Sequence, residues 1–353
     1  MALVSYNQSP NAVIANSLTT IFEDLITSQI NRATVLLQVL PVGPGTTGKN
    51  ISWVVRFGSA VGGARAEGAD VSTLNNDDKV PATLEFGTYD DSFGVTGKAM
   101  ATARAARNPE ELANLFVDEL NDCIERLAKG IAIDLYSGSG AANFILGLVA
   151  SGGGITNTGT YANIDRSSRT QWQGTVVSNG GVGRALTFDL MRDTRRKIYI
   201  ASGLKPDLIV TTPELHEKYG QLFGQFRRYV TEIRLRGNTI TLDGGYQMLE
   251  FDGIPILEDV DCPTGNMLFL NTRYVRVLQL PDQADSVNMS TGIVGIAGTP
   301  EEQLGQPSQK LTARINPLGR TGDTYKFQLI CYPQLQVRRP NSCGVITDLD
   351  FTL

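Results

Sequence analysis

Hydrophobic residues follow a helical spacing in some parts of this chain and an alternating spacing in others. Over residues 13–30 the apolar side chains recur every three or four positions, which is typical of an amphipathic helix. A longer helix is predicted at about 109–136, because Asn108-Pro109-Glu110-Glu111 supplies an N-cap, a first-turn proline and acidic residues that favour a helix N-terminus. Residues 187–201 and the segment that begins at Pro213 also predict helices.

Alternating or continuous apolar runs predict strands elsewhere. Residues 51–57 predict one strand and residues 82–95 the strand that returns from it, so together they predict a long hairpin with a tip of small and polar residues. An isolated two-stranded ribbon is marginal in water, and we therefore expect this hairpin to lie against another surface. Residues 249–281 contain short apolar runs separated by Gly- and Pro-containing turns, which predicts a compact antiparallel meander.

The order of the elements predicts an α+β fold. A buried strand at 207–211 lies between two helices and precedes the meander, which is typical of an α+β lobe. Residues 138–164 contain no charged side chain and predict loops around one short strand or helical turn. Strands return near the C-terminus, at 325–332, 334–338 and 343–346.

Charge and cysteine usage narrow the possible classes of protein. The formal net charge of −5 argues against a protein that holds nucleic acid through a broad basic surface. The four cysteines are far apart and form no CxxC pair, so neither a zinc cage nor a disulfide framework is predicted, and we expect buried or partly exposed thiols. No secretion signal or membrane-spanning run is found, and we expect a protein that folds in cytosol.

Three motifs suggest chemistry, and a structural interpretation is favoured for each. Residues 43–49 fit the phosphate-binding pattern GxxxxGK, but Asn50 stands where Ser or Thr would bind magnesium and a strand follows, so we predict a hinge. His216 is the only histidine, and we expect it at an exposed position on a helix. The acidic residues at 258–261 could bind calcium, but their spacing is not that of an EF-hand, and we expect a solvated turn.

Two segments resemble phage major capsid proteins with the HK97-type fold. They are FDGIPILEDVDCPTGNMLFLN at 251–271 and FQLICYPQLQVRRPNSCGVI at 327–346, and the other segments match the family by order and length. The resemblance implies a spine helix at about 109–136. It implies the following domains: an N-arm at 1–44, an E-loop hairpin at 45–100, a P domain at 101–160 and 282–353, and an A domain at 161–281.

The resemblance also implies a function without catalytic, cofactor-binding or metal-binding residues. We expect a major capsid protein that self-assembles in the host cytoplasm into hexamers and pentamers of an icosahedral virion shell around double-stranded DNA, which it contacts weakly. Expected partners are other copies of the chain, a portal at one vertex and, optionally, a decoration protein. Because the sequence begins directly at the arm, we expect a separate scaffolding protein; no membrane is expected. Some relatives form a Lys–Asn crosslink, and we predict none here, because residues 319–330 contain no Asn.

Charged residues of the hairpin and of the basic pairs are our candidates for contacts between subunits. They are Arg65, Glu67, Asp70, Lys79, Arg195, Arg196, Arg227 and Arg228. Two alternatives stay open at this point. One is an encapsulin-like compartment with the same fold and a protein cargo, and the other is a β-rich hydrolytic enzyme that uses Asp and Glu pairs.

Overall fold

A computed structural model describes most of the chain. The described residues are 35–44, 48–57, 67, 78–105, 109–141, 143–223, 232–235, 238–241, 249–280, 286–288, 311–318, 322–350 and 352. The amphipathic segment predicted at 13–30 lies outside them. The helices are α1 (Val35–Val39), α2 (Gly97–Ala105), α3 (Pro109–Ser137), α4 (Phe188–Ser202) and α5 (Pro213–Phe223).

The strands are named in chain order. They are β1 (Val42–Pro44), β2 (Asn50–Arg56), β3 (Lys79–Glu85), β4 (Tyr89–Thr96), β5 (Thr160–Tyr161), β6 (Ile164–Asp165), β7 (Thr175–Val177), β8 (Leu208–Thr211), β9 (Glu232–Leu235), β10 (Asn238–Thr241), β11 (Leu249–Phe251), β12 (Ile254–Glu258), β13 (Met267–Leu270), β14 (Val275–Gln279), β15 (Ser286–Asn288), β16 (Thr312–Pro317), β17 (Thr324–Cys331), β18 (Pro333–Val337) and β19 (Gly344–Ile346).

The predicted helices of the described residues are confirmed. α3 has 29 residues, which corresponds to about 44 Å at 1.5 Å per residue. α4 begins after Thr187, whose side chain accepts a hydrogen bond from the backbone N–H of Leu190 at 3.2 Å. It ends at Ser202, and the following Gly203 has a φ of 71°, the left-handed conformation that favours glycine. The spine helix α3 and helix α4 thus follow the predicted bounds closely.

A six-stranded mixed sheet forms the central layer between two hydrophobic cores. Its order is β11-β12-β8-β13-β19-β7, with β12 parallel to β8 and β19 parallel to β7. Leu208 and Val210 of β8 belong to the larger core, which also includes α3, whereas Ile209 belongs to a smaller core covered by α4 and α5. Because β8 is buried on both faces, its sequence is almost continuously apolar.

The predicted meander at 249–281 is wrong as a sheet topology, although its strands exist. β11 and β12 do form a hairpin, with Asp252 and Gly253 at φ values of 55° and 83° in the turn. However, β8 is inserted between β12 and β13, and β14 belongs to a separate three-stranded sheet of order β1-β14-β18. Local turn sequences show where strands begin and end, but they do not identify the partner of a strand that is buried on both faces.

The predicted returning strand at 82–95 is wrong as a single strand. β3 pairs with β2 over seven residues, but the chain then leaves the ribbon, and β4 pairs with β17 in a sheet of order β15-β16-β17-β4. At the break, the Gly87 N–H donates to the Pro333 carbonyl at 3.0 Å, and the Thr88 N–H donates to the Asn143 carbonyl at 2.8 Å. These bonds satisfy the backbone where the partner changes. β18 begins at Pro333, one residue before the predicted start at 334.

A buried arginine organises the charge-free stretch predicted as loops at 138–164. Arg166 is fully buried, and its guanidinium donates to the Gly153 carbonyl at 2.7 Å, the Thr156 hydroxyl at 2.6 Å and the Trp172 carbonyl at 3.1 Å. Further acceptors are the carbonyls of two other loop residues, Thr158 and Gly154. None of these acceptors is charged, and burial lowers the pKa of Arg166 to about 10. A single buried cation therefore binds residues 153–158 and supports this part of the loop.

We predict that Arg166→Met destabilises the isolated subunit by on the order of 3 kcal/mol, because it leaves several buried acceptors without a donor. The matched control is Arg192→Met, since Arg192 is exposed and its distance to Asp189 is 3.9 Å; this change should stay within about 0.5 kcal/mol. Urea unfolding followed by tryptophan fluorescence measures both. Equal midpoints for the two variants would show that Arg166 does not support the loop.

Candidate assembly surfaces

One buried carboxylate joins segments that are far apart in the sequence. Oδ2 of Asp259 accepts hydrogen bonds from the Tyr136 hydroxyl at 2.6 Å and from the backbone N–H of Leu36 at 3.3 Å. Oδ1 accepts the backbone N–H of Asp261 at 3.0 Å, and the Asp259 N–H donates to the Thr211 carbonyl at 2.9 Å. The segment after β12 therefore binds both α1 and α3. We call this arrangement the Asp259 junction.

The solvated acidic turn expected at 258–261 is therefore wrong for Asp259, whose side chain is 3% exposed. Protein donors replace water around its carboxylate. Burial, with a smaller contribution from Asp259, raises the pKa of the Tyr136 phenol well above its usual range. Burial and Asp259 also raise the pKa of Asp261, while Lys129 on α3 acts in the opposite direction. The phenol stays protonated near neutral pH and remains a donor to Asp259.

His216 lies beside this junction, and the expectation of an exposed position is wrong. The side chain is 16% exposed, and its Nδ1 lies 3.4 Å from a carboxylate oxygen of Glu258, the last residue of β12. Burial lowers the pKa of the imidazole, and the charge of Glu258 opposes that shift. The folded chain therefore favours neutral His216.

The β2–β3 ribbon lies against its own chain along one face. Ile51, Ala82 and Leu84 are buried in the larger core. Near the other end of the paired region, the Phe57 ring contacts Trp172 edge-on at 6.0 Å between ring centroids. For these residues, the supporting surface that an isolated ribbon requires belongs to the same chain.

Arg169, in the loop before β7, binds the distal part of the ribbon. Arg169 lies over the Phe57 ring, 5.3 Å from its centroid, and forms an ion pair with Asp78. The Thr83 N–H donates to the Ala162 carbonyl at 3.1 Å. The described part of the ribbon therefore has a defined orientation, with Val54, Arg56, Lys79 and Pro81 exposed on the opposite face.

The outward face of the ribbon carries an apolar pair followed by a cationic pair. Val54 lies opposite Pro81, and Arg56 lies opposite Lys79. All four are exposed, and Val54 is 68% exposed. Lys79 is one of the predicted inter-subunit contacts. Glu67, another of them, is an exposed turn residue.

The basic residues predicted as contacts on α4 have partners within the chain. Arg195 pairs with Asp252 in the β11–β12 turn at 2.5 Å, and Arg196 pairs with Asp193 at 2.5 Å. Exposed ion pairs contribute only about 0–1 kcal/mol, so such side chains can exchange partners at an interface. Their role between subunits stays a prediction. The remaining predicted contacts lie outside the described residues: Arg65, Asp70, Arg227 and Arg228.

Exposed apolar residues are the surface feature that the sequence interpretation missed. Among the apolar side chains that the structure describes, the largest exposed fractions belong to Val260 (84%), Ile200 (75%) and Val54 (68%). Strand alternation indicates that Val54 is exposed, because its neighbours in β2 point to the core. Helical periodicity indicates that Ile200 is exposed, because it lies four residues after the exposed Arg196 on α4. For Val260 there is no such signal, because a turn has no periodicity.

The phosphate-binding interpretation of residues 43–49 finds no support in the described backbone. A phosphate-binding loop requires a helix immediately afterwards, whereas β2 begins at Asn50. Lys49 is exposed and lies 4.0 Å from Glu85 across the ribbon. In the described ranges, no group of three or more His, Cys, Asp or Glu residues is arranged to hold a metal ion. Nor does any helix there have the length and hydropathy to cross a membrane.

Comparison with protein families decides the class of this protein. Residues 9–293 match the family model of the SU10 major capsid protein. The chain belongs to this family of major capsid proteins. It is therefore a structural component of a virion capsid that associates with copies of itself. No curated protein matches its sequence.

Solved structures establish the fold of this major capsid protein. The capsid asymmetric unit of cyanophage A-1(L) matches with a TM-score of 0.65 and 21% identity, covering 90% of this chain and 93% of the other. The capsid of a native GTA particle matches with a TM-score of 0.54, 12% identity and 89% coverage of each chain. The SrpI encapsulin of Synechococcus elongatus PCC 7942 matches with a TM-score of 0.51 and 14% identity, covering 100% and 98%. The predicted HK97-type fold is confirmed.

We predict that Asp259→Asn destabilises the subunit by about 1–3 kcal/mol. In either orientation of the new amide, its NH₂ group faces a backbone N–H, either that of Leu36 or that of Asp261, and no hydrogen bond can form there. Asp189→Asn is the control, because that side chain is 97% exposed. Urea unfolding of unassembled subunits should separate the two variants. Equal stability would mean that the junction is not a structural anchor.

We also predict a stability loss in mild acid that depends on His216. The folded chain holds the imidazole pKa below its ordinary value of 6.5, so the unfolded chain binds the proton first. The contribution of neutral His216 is fully present above pH 6.5 and is lost as the pH falls through the folded pKa. Between pH 7 and pH 5, wild type should lose more unfolding free energy than His216→Gln. If the unfolding free energies of the two proteins changed equally between pH 7 and pH 5, His216 would not be the source of the stability loss.

Proposed function

We propose that this major capsid protein forms the hexamers and pentamers of an icosahedral shell around double-stranded DNA. The observation that carries the proposal is the match to the SU10 major capsid family over residues 9–293. The HK97-type fold of the solved capsids supports it. In this proposal the chain acts through its surfaces and performs no catalysis.

The outward face of the ribbon is the proposed contact with the next subunit. Because Arg169, Phe57 and Trp172 hold the ribbon against its own chain, the ribbon can present Val54 and Lys79 to a neighbour with little loss of conformational entropy on binding. Burial of the exposed Val54 would contribute a hydrophobic term, and Lys79 would pair with acidic groups of the neighbour.

Other charged residues complete the proposed contacts between subunits. Arg195 and Arg196 would exchange their intrachain carboxylates for those of a neighbour at the surface of α4. The other candidates would form ion pairs with a neighbour: Glu67 and, outside the described residues, Arg65, Asp70, Arg227 and Arg228.

The remaining partners follow from the proposed shell. They are a separate scaffolding protein, a portal at one vertex and, optionally, a decoration protein, with assembly in the host cytoplasm. A net charge of −5 supports weak, non-specific contact with the packaged DNA, because attraction to phosphates requires a cationic surface.

A protein-filled compartment is the second candidate function. The observation that favours it is the similarity to the SrpI encapsulin over 100% of this chain. The contents of purified particles distinguish the two functions, since a phage shell contains double-stranded DNA or is empty, whereas a compartment contains a co-purifying cargo protein. Nuclease-protected nucleic acid within the particles would exclude the compartment.

We predict that Val54→Asp prevents the formation of closed shells and leaves the subunit folded, because Val54 is 68% exposed and lies on the outward face of the ribbon. The matched control is Val182→Asp, the same change at a residue that is 65% exposed in the loop after β7. Negative-stain micrographs count the shells, and circular dichroism checks the fold. Shells of normal size from Val54→Asp, or equal loss in both variants, would count against a specific role of the ribbon.

A further inference from the structure

Two exposed apolar side chains lie at the Asp259 junction. Val260 is 84% exposed and follows Asp259 directly, and Ile133 on α3 is 41% exposed. Ile133 lies one helical turn before Tyr136, which binds Asp259. We call these two residues the Ile133–Val260 patch. Single exposed apolar residues are normal on protein surfaces, so the patch is informative only through what surrounds it.

The turn that carries Val260 is held rigidly against the face of α3 that displays Ile133. Asp259 accepts the backbone N–H of Asp261 through its carboxylate at 3.0 Å, and its carbonyl accepts the Cys262 N–H at 3.3 Å. Lys129, one turn before Ile133, is close enough to Asp261 for its charge to oppose the rise in the pKa of that carboxyl. Val260 is therefore fixed in an outward position beside α3, and little conformational freedom is left to lose when a partner binds.

The N-terminal part of the chain reaches the described fold at this same place. The Leu36 N–H binds Asp259, so α1 begins beside the patch. Ile30 precedes Val35 by five residues, at most about 17 Å of extended chain. Ile30 ends the apolar stripe predicted from the sequence, whose members are Val13, Ile14, Leu18, Ile21, Phe22, Leu25 and Ile30.

We propose that the apolar stripe of residues 13–30 docks on the Ile133–Val260 patch of its own chain. The stripe needs an apolar partner, and the patch is the apolar surface at the point where the stripe joins the fold. The short connection to Val35 gives the intrachain contact an effective concentration in the millimolar range, which favours it over the same contact with a second copy. The Asp259 junction then serves two purposes, because it binds the root of the arm and displays the surface that the arm covers. This inference does not depend on the proposed shell.

Crosslinking of engineered thiols tests the proposal on unassembled subunits separated by size exclusion. The pair is Ile30→Cys with Val260→Cys, treated with a short bismaleimide. The native thiols give little background, because Cys123, Cys262, Cys331 and Cys343 are buried and burial raises the pKa of each. We expect a link between the two engineered residues in chains of monomer mass. The matched control pairs Ile30→Cys with Val182→Cys, a valine of similar exposure in the loop after β7, and it should give no such link.

Three results would overturn the proposal. A link found only at dimer mass would place the stripe on a second copy. No link above the Val182 control would place the stripe elsewhere. A link that persists unchanged after Ile133→Lys would show that the apolar patch does not hold the arm, whereas we expect this change to abolish the link. None of these results depends on shell formation, so micrographs of assembled protein judge the proposed function separately.

Discussion

The carboxylate of Asp259 is the constraint on which the arrangement of the described chain depends. It lies 123 residues from Tyr136 and 223 residues from Leu36, and it binds both. Its backbone N–H donates to Thr211 at the end of β8, so the sheet between the two cores, the spine helix and the root of the arm all bind this one residue. A buried carboxylate tolerates few geometries once its donors are fixed. The orientation of the sheet relative to the helix is thereby specified more narrowly than apolar packing alone would require.

In the proposed shell, the ribbon would be a contact surface that is ordered before assembly. One of its faces is already packed against the larger core, and Arg169 holds its distal part. The subunit therefore meets the conformational cost of ordering these strands during folding. Only the exposed face is left for a neighbour, and the same logic applies to α4, whose exposed cations have exchangeable intrachain partners. Affinity between subunits can then be weak per contact and still build a closed particle.

Local features of the structure were predictable from the sequence, whereas long-range pairing was not. The spine helix and α4 follow from caps and periodicity, and the β11–β12 turn follows from Asp252-Gly253. Three features depend on residues far away in the chain: the insertion of β8 between β12 and β13, the break before β4 and the burial of Asp259. The sequence of an acidic turn does not show whether its carboxylate accepts hydrogen bonds from water or from a distant tyrosine. Among the surface candidates, alternation along β2 could have indicated Val54, while Val260 becomes visible only in three dimensions.

Arg166 has a consequence for the conditions under which the subunit keeps its shape. Its acceptors are carbonyls and a hydroxyl, none of which titrates between acidic and alkaline pH. These hydrogen bonds are buried, so dissolved ions screen them little. Ion pairs on α4 and at Arg169 weaken as ionic strength rises, whereas the hydrogen-bond acceptors of Arg166 carry no charge. Each subunit of the capsid therefore carries one buried polar cluster that a change in ionic strength leaves intact.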